Sequence, residues 1–333
     1  MLARYAFRVA LLSVDGQSQN SICRHQFKAD LIRQTQADQT STSDEMAAPP
    51  ILQVRRQLSS ALYGEVLECE LLGYDEPVAV KRISLARAAE ARSRAGATRE
   101  IDNPMQEQRV AAMLVANGGH RNVVQSHFNF VRGRRLYLVN ELCRGGDLHS
   151  LVAERISADT FLEEQEVLPL MRQVLEGVRY LHSTIGVAHR DLSLENVLLS
   201  RGVCKITDFG LSTDSRSICT GGQVGKEFYM APEVVAGDRY DPKLADVWSL
   251  GIMWFIMLTG SPLITLASPS EKAFVAFKRH GVGAVIDVWG HSERISTDAV
   301  ALLEKMLQTD PSQRIPLDQV LAHPIFDTAI VTE

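Results

Sequence analysis

The apolar residues of this chain keep one spacing in its first half and another in its second, and that switch limits the fold more than any single motif does. Val66, Leu67, Leu71, Leu72, Val78, Val80 and Ile83 mark strands across residues 58–83, broken by the turn Gly73-Tyr74-Asp75-Glu76-Pro77. Residues 101–116 turn helical, with Val110, Met113 and Leu114 at i, i+3 and i+4. Strand character returns at 123–130 and 136–139, around the basic turn Arg132-Gly133-Arg134-Arg135. After Gly146 helical spacing dominates, at 161–183, 242–259, 271–280 and 297–308. Strands first and helices after predict an α+β chain in two lobes rather than alternating βαβ units. The smaller lobe is an antiparallel sheet with one helix, and the larger is mainly helical.

Boundaries follow from polarity. Residues 34–45 are too polar to offset the entropy of ordering them, and Ala47-Ala48-Pro49-Pro50 closes that stretch. A disordered extension over 1–50, lobes over 51–141 and 142–327, and a tail over 328–333 are expected. Residues 1–14 carry Arg4 and Arg8 with no acid, in the manner of a transit segment, but Asp15 and the lack of a cleavage pattern favour an unstructured extension. The apolar run 250–258 falls short of the roughly 20 residues that cross a bilayer, so it is a core helix and no membrane span is expected. Net charge is -5, with 35 basic and 40 acidic residues intermixed, which argues against a nucleic-acid partner. Cys23, Cys69, Cys143, Cys204 and Cys219 are odd in number and scattered, the usage of a reducing compartment, and a cytoplasmic monomer is expected.

Four short motifs carry the chemistry, and their order matters more than any one of them. Val78-Ala79-Val80-Lys81 ends a strand; His189-Arg190-Asp191 is followed by Asn196; then come Asp208-Phe209-Gly210 and Ala231-Pro232-Glu233. This ordered set resembles the signature of the eukaryotic protein kinases of the serine/threonine type, over residues 58–326. The resemblance implies a bilobal kinase fold, ATP and Mg²⁺ as cofactors, protein substrates with serine or threonine acceptors, and an upstream activating kinase. It implies that Lys81 contacts the α- and β-phosphates and pairs with a helix glutamate; Glu107 fits the helical offsets best and Glu100 is the rival. Asp191 becomes the catalytic base, and Asn196 and Asp208 the metal ligands, since Mg²⁺ prefers carboxylate and amide oxygen. The adenine site is expected between Ala79 and Leu198, with backbone groups of Glu141 and Cys143 on the adenine edge, Asn140 guarding the pocket behind it and Asp147 at the ribose. Arg314 is placed to pair with Glu233, and Asp246 opens the buried central helix.

Three departures qualify the resemblance. The phosphate-covering loop that begins at Leu58 maps onto Ser59, Ala61, Gly64 and Val66, so only its third glycine remains. Ser193 stands where serine/threonine kinases usually carry lysine, followed by Leu194 in place of proline, and Lys226 stands where they usually carry threonine. A reciprocal exchange is one reading, with Lys226 supplying the ammonium and Ser193 the hydroxyl; a solvated Lys226 with slower transfer is the other. The segment 211–230 holds Ser212, Thr213, Ser215, Ser217 and Thr220, and Thr220 is the first candidate for a phosphate that Arg190 would bind. Of the functions available, an active kinase accounts for all four motifs. A pseudokinase scaffold would explain the eroded loop but not the retained Lys81, Asp191, Asn196 and Asp208. A small-molecule kinase would have no use for the Ala231-Pro232-Glu233 segment with Arg314.

Overall fold

The computed structural model describes residues 52–94 and 101–330. The expected extension over 1–50, the rival Glu100 and the last three residues lie outside them. Among the described residues, one compact body holds 53–70, 77–94 and 101–330. Residues 71–76 fall in a separate unit, a turn closed by the Tyr74 N–H donating to the Leu71 carbonyl at 3.0 Å.

The small lobe is a five-stranded sheet in the order β1-β2-β3-β5-β4. Its strands are β1 (Leu52–Ala61), β2 (Gly64–Leu71), β3 (Val78–Ser84), β4 (Ser126–Arg132) and β5 (Arg135–Glu141). β2 pairs with β3, β3 with β5 and β4 with β5, all antiparallel, with Lys81 opposite Val66 on one side and Leu138 on the other. β1 is exposed along nearly its whole length. It is an edge strand whose Arg55 and Arg56 reach across to Glu70 and Glu68.

Two helices follow β3, one more than the spacing predicts. Residues 85–94, to which the spacing assigns no element, form α1 (Leu85–Arg94). Its Ala, Leu, Arg and Glu residues are good helix formers. Leu85, Ala88 and Ala91 make a narrow stripe against Tyr63, Ile83, Leu136 and Leu138. The second helix, α2 (Pro104–Ala116), is the expected one. The Asn103 side chain accepts from the Met105 N–H, and Pro104 occupies the first turn, where a missing N–H costs nothing.

The large lobe is helical: α3 (Leu148–Ser157), α4 (Glu164–Tyr180), α5 (Pro232–Ala236), α6 (Pro242–Thr259), α7 (Lys272–Val288), α8 (Thr297–Met306) and α9 (Leu317–Leu321). Every residue of α6 from Ala245 to Thr259 is buried, as suits a helix apolar on all sides at the centre of a lobe. Asp241 caps its start and Gly260, at φ 72°, ends it. α7 runs past the expected 280 because Gly281, at φ 80°, bends the chain and lets a second helical stretch continue. Four short strands, β6 (Val187–Ala188), β7 (Val197–Ser200), β8 (Val203–Ile206) and β9 (Thr213–Asp214), carry the loops that face the sheet lobe. Among the described residues no helix is long and apolar enough to cross a membrane.

Candidate active site

β3 alternates as a half-buried strand must: Val78 and Val80 enter the core, while Ala79 and Lys81 turn to the opposite face. Lys81 Nζ donates to Glu107 Oε1 at 2.7 Å and to Asp208 Oδ1 at 3.0 Å. Glu107, in the first turn of α2, is therefore the partner. Burial works against the Lys81 charge, but the Glu107 and Asp208 carboxylates outweigh it and hold the ammonium protonated. Burial likewise opposes the Asp208 charge, and Lys81 overcomes it, leaving that carboxyl below its usual range.

The catalytic loop is fixed from beneath by Asp246, in the first turns of α6. Its buried carboxylate accepts the His189 and Arg190 backbone N–H groups, both at 2.8 Å, and His182 Nε2 lies 2.8 Å from it. Arg190 takes a positive φ of 63°, an uncommon state for a side-chain-bearing residue, and these bonds offset its cost. Asp191 then reaches the cleft with both oxygens engaged. Asn196 Nδ2 donates to Oδ2 at 2.9 Å and the Lys226 backbone N–H to Oδ1 at 3.1 Å. Asp208 also has a positive φ, 68°, while its neighbour Phe209 is buried against His189.

These groups share one cleft of about 650 Å³. Leu58, Ser59, Ala61, Val66, Ala79 and Leu198 line it, with Glu141, Cys143 and Asp147 near the end of β5 and Lys81, Glu107, Asp191, Asn196, Asp208 and Lys226 at the polar end. Burial pushes the Cys143 thiol up to about 11, so it is no nucleophile at neutral pH. One Asp147 oxygen is committed to the Ser150 N–H at 2.7 Å, capping α3. Asn140 accepts a hydrogen bond from Ser126 Oγ at 2.9 Å beside a small recess that it lines with Ala111, Leu138 and Phe209.

Two expected site residues lie elsewhere. Gly64 does not line the cleft: a Cβ there would sit 1.8 Å from the Arg82 carbonyl, so this glycine serves strand contact rather than phosphate contact. Ser193 is fully buried and bonds Lys226 instead of facing the cleft. The sequence reading missed Tyr63 and Asp102. Tyr63, at the tip of the eroded loop, is buried with α1 and its hydroxyl has no partner. Asp102 faces Asp208, Asp191, Lys81 and Lys226, and burial, helped by Asp208, pushes it up to about 6. The Asn103-Pro104 pair, a helix-start signal, would have located it.

Asp102, Glu107, Asp191 and Asp208 face only Lys81 and Lys226 across this cleft. This set of hard carboxyl oxygens, with Asp208 held below its usual range by Lys81, suits a divalent cation that shares its coordination with phosphate oxygens, as Mg²⁺ does. Residues 52–326 match the protein kinase domain. The chain belongs to that family. It is 37% identical over 213 residues to the serine/threonine-protein kinase PLK4 of Drosophila grimshawi, covering 62% of this chain and 26% of that protein. It is 33% identical over 283 residues to CBL-interacting protein kinase 20 of Oryza sativa subsp. japonica, covering 81% and 56%. With the serine/threonine-protein kinase cds1 of Schizosaccharomyces pombe the figures are 32% over 267 residues, 76% and 52%. The chain thus spans between a quarter and little over half the length of these relatives.

The kinase domain also has its expected buried ion pair. Arg314 Nη1 and Nη2 donate to Glu233 Oε1 and Oε2 at 2.6 and 2.9 Å, and the guanidinium also bonds the Leu244 and Gln308 carbonyls. This ties α5, and the loop leading into it, to the body of the large lobe. In the segment 211–230 the Ser212 and Ser215 hydroxyls are spent on the Phe209 and His182 carbonyls, at 2.8 and 2.9 Å. Thr220 is exposed. Arg190 Nη1 lies 3.9 Å from the sulfur of its neighbour Cys219.

Proposed function

We propose that this protein is a serine/threonine protein kinase, transferring the γ-phosphoryl group of ATP to hydroxyls of protein substrates. One observation carries the reading: Lys81, Asp191, Asn196 and Asp208, up to 127 residues apart in sequence, line a single cleft. The family match and the printed descriptions of the three relatives support it further. The chemistry needs positioning and charge more than covalent participation. The apolar walls at Ala79 and Leu198 take the adenine ring. Lys81, held by Glu107, orients the α- and β-phosphates. Asn196 and Asp208 would hold Mg²⁺, which when bound would supply positive charge to the phosphate oxygens. Asp191, fixed through both oxygens, directs the acceptor hydroxyl and takes its proton. The acceptor oxygen bonds the γ-phosphorus, the bond to the bridging oxygen breaks, and ADP leaves with the electron pair.

The chain's catalytic loop lacks the alanine-and-arginine sequence typical of tyrosine kinases, which favours serine and threonine acceptors. Thr220 is the loop position for an upstream kinase. The free thiols Cys69, Cys143, Cys204 and Cys219 are in keeping with a cytoplasmic setting. Ser59 and Ala61, in place of glycines, favour a second reading: a nucleotide-binding scaffold. Transfer of label from γ-labelled ATP with Mg²⁺ to a generic protein acceptor, run beside Asp191→Asn, separates the two. Incorporation by the wild type on serine or threonine, abolished in the variant, is expected. Equal incorporation by both rejects the mechanism, and nucleotide binding with no transfer favours the scaffold.

A further inference from the structure

Lys81 is not a free charge in this cleft, since its ammonium already bonds two carboxylates, Glu107 and Asp208. Among the described lining residues the other cation is Lys226. Its Nζ donates to Ser193 Oγ at 2.6 Å and stands 3.7 Å from Asp191 Oδ2, beyond hydrogen-bond length. The neutral Ser193 hydroxyl is thus the hydrogen-bond partner of this ammonium, and Asp191 meets it only as a longer ion pair. Its side chain is 37% exposed, against 17% for Lys81.

The position is built into the backbone. Gly225 has φ 89°, and a Cβ there would lie 2.6 Å from the Arg190 carbonyl and 3.2 Å from Asp191 Oδ1. Glycine lets the chain run flush against the catalytic loop. The next N–H, that of Lys226, then bonds Asp191 Oδ1. Ser193 is buried in extended backbone at φ -158°, two residues after Asp191, with its hydroxyl turned to Lys226. Lys226 thus does two separate things: its backbone orients Asp191, and its side chain brings a positive charge to the acceptor side of the cleft.

During transfer negative charge is spread over the phosphoryl oxygens beside Asp191, where a preorganised cation is most effective. We propose that Lys226 is a catalytic residue whose ammonium contacts the γ-phosphoryl oxygens during transfer, and that Ser193 is the positioning residue that holds it. A compact ammonium on a flexible stem swings readily from the Ser193 hydroxyl to a phosphate oxygen. The inference rests on the kinase reading above and deepens it.

The test uses the full chain with Mg²⁺ and ATP, comparing wild type, Lys226→Ala, Lys226→Arg, Ser193→Ala and the exchange Ser193→Lys with Lys226→Ser. Alanine keeps the backbone N–H to Asp191 and removes the ammonium together with its bond to Ser193 Oγ. Lys226→Ala is expected to lower kcat by about 10²–10³-fold, the loss typical of removing one transition-state donor, while affinity for a fluorescent nucleotide changes less than about threefold. Lys226→Arg should retain part of the rate. Ser193→Ala should lose about tenfold or less, because the cation remains but is no longer held. The exchange should recover much of the alanine loss, because a lysine stem from position 193 extends into the space that the Lys226 side chain vacates. Each variant is checked by thermal melting, and a rate loss in step with lost stability, unrelieved by the exchange, overturns the proposal. So does a Lys226→Ala kcat within twofold of wild type, which leaves a solvated lysine and the kinase reading intact. Equal transfer by wild type and Asp191→Asn removes both.

Discussion

Replacing Arg314 with methionine should destabilise the large lobe by an amount the structure sets. The Arg314 and Glu233 side chains are 0% and 4% exposed, and the guanidinium meets the carboxylate through two parallel bonds of 2.6 and 2.9 Å. Methionine refills much of the volume over Trp248, whose ring lies 5.2 Å from the Arg314 guanidinium carbon, so the cavity cost is small. What remains is a carboxylate with neither water nor a counter-charge, and two carbonyls, Leu244 and Gln308, short of a donor. Breaking one side of a buried pair costs about 3–5 kcal/mol. At roughly 2–4 °C per kcal/mol for a domain of this size, the melting temperature should fall by on the order of 10 °C. Urea denaturation and thermal melting read the loss. Adding Glu233→Gln removes the orphaned charge and should recover about 1–3 kcal/mol of it. A loss below about 1 kcal/mol in Arg314→Met, with no recovery in the double variant, would refute the premise that this pair is desolvated and mutually required.

Two further outcomes follow from the same structure. Asp102 holds its proton to about pH 6 in the folded chain but only to about pH 4 when unfolded. Folding stability attached to it is therefore full below about pH 4 and lost as pH rises towards 6. Asp102→Asn should raise stability by about 1–2 kcal/mol above pH 6, after allowance for partial exposure, and the gain should vanish below about pH 4; melting curves of the nucleotide-free protein across that range check it, and a gain independent of pH contradicts it. In active preparations mass spectrometry should find phosphate on Thr220 and not on Ser212 or Ser215, whose hydroxyls are internal donors; a fully active protein without phosphate at Thr220 rules that regulatory step out.

Much of the larger lobe was legible because its signals are local. The α6 limits coincide with the expected 242–259, since Asp241, Pro242 and Gly260 mark start and stop as plainly as the apolar run marks the body. α4 came out shorter than 161–183: a Glu163–Glu166 capping box starts it late, and a looser turn over Leu181–Ile185 ends it early. β1 was only partly visible because an edge strand exposed on both faces has no alternation to read. α1 is not legible in the sequence because its buried stripe is largely alanine, too slight to register as periodicity. At the site, Lys81, Asp191, Asn196 and Asp208 were identifiable by type and order, since phosphate and metal chemistry restricts both. The supports beneath them were not. The positive φ of Arg190 and Asp208, the two backbone bonds to Asp246 and the approach of Asp102 arise from contacts between distant segments, which spacing along one chain does not encode.

Lys81, Asp191, Asn196 and Asp208 act on one nucleotide or the whole reading fails. A crystal structure of the full chain with Mg²⁺ and a non-hydrolysable ATP analogue tests this most directly. Asp208 and Asn196 oxygens at about 2.0–2.1 Å from the metal, Lys81 on the α- and β-phosphates and Asp191 facing the γ-phosphate are the expected result. A nucleotide bound with its triphosphate turned away from these four side chains, or with its metal held elsewhere, would contradict it.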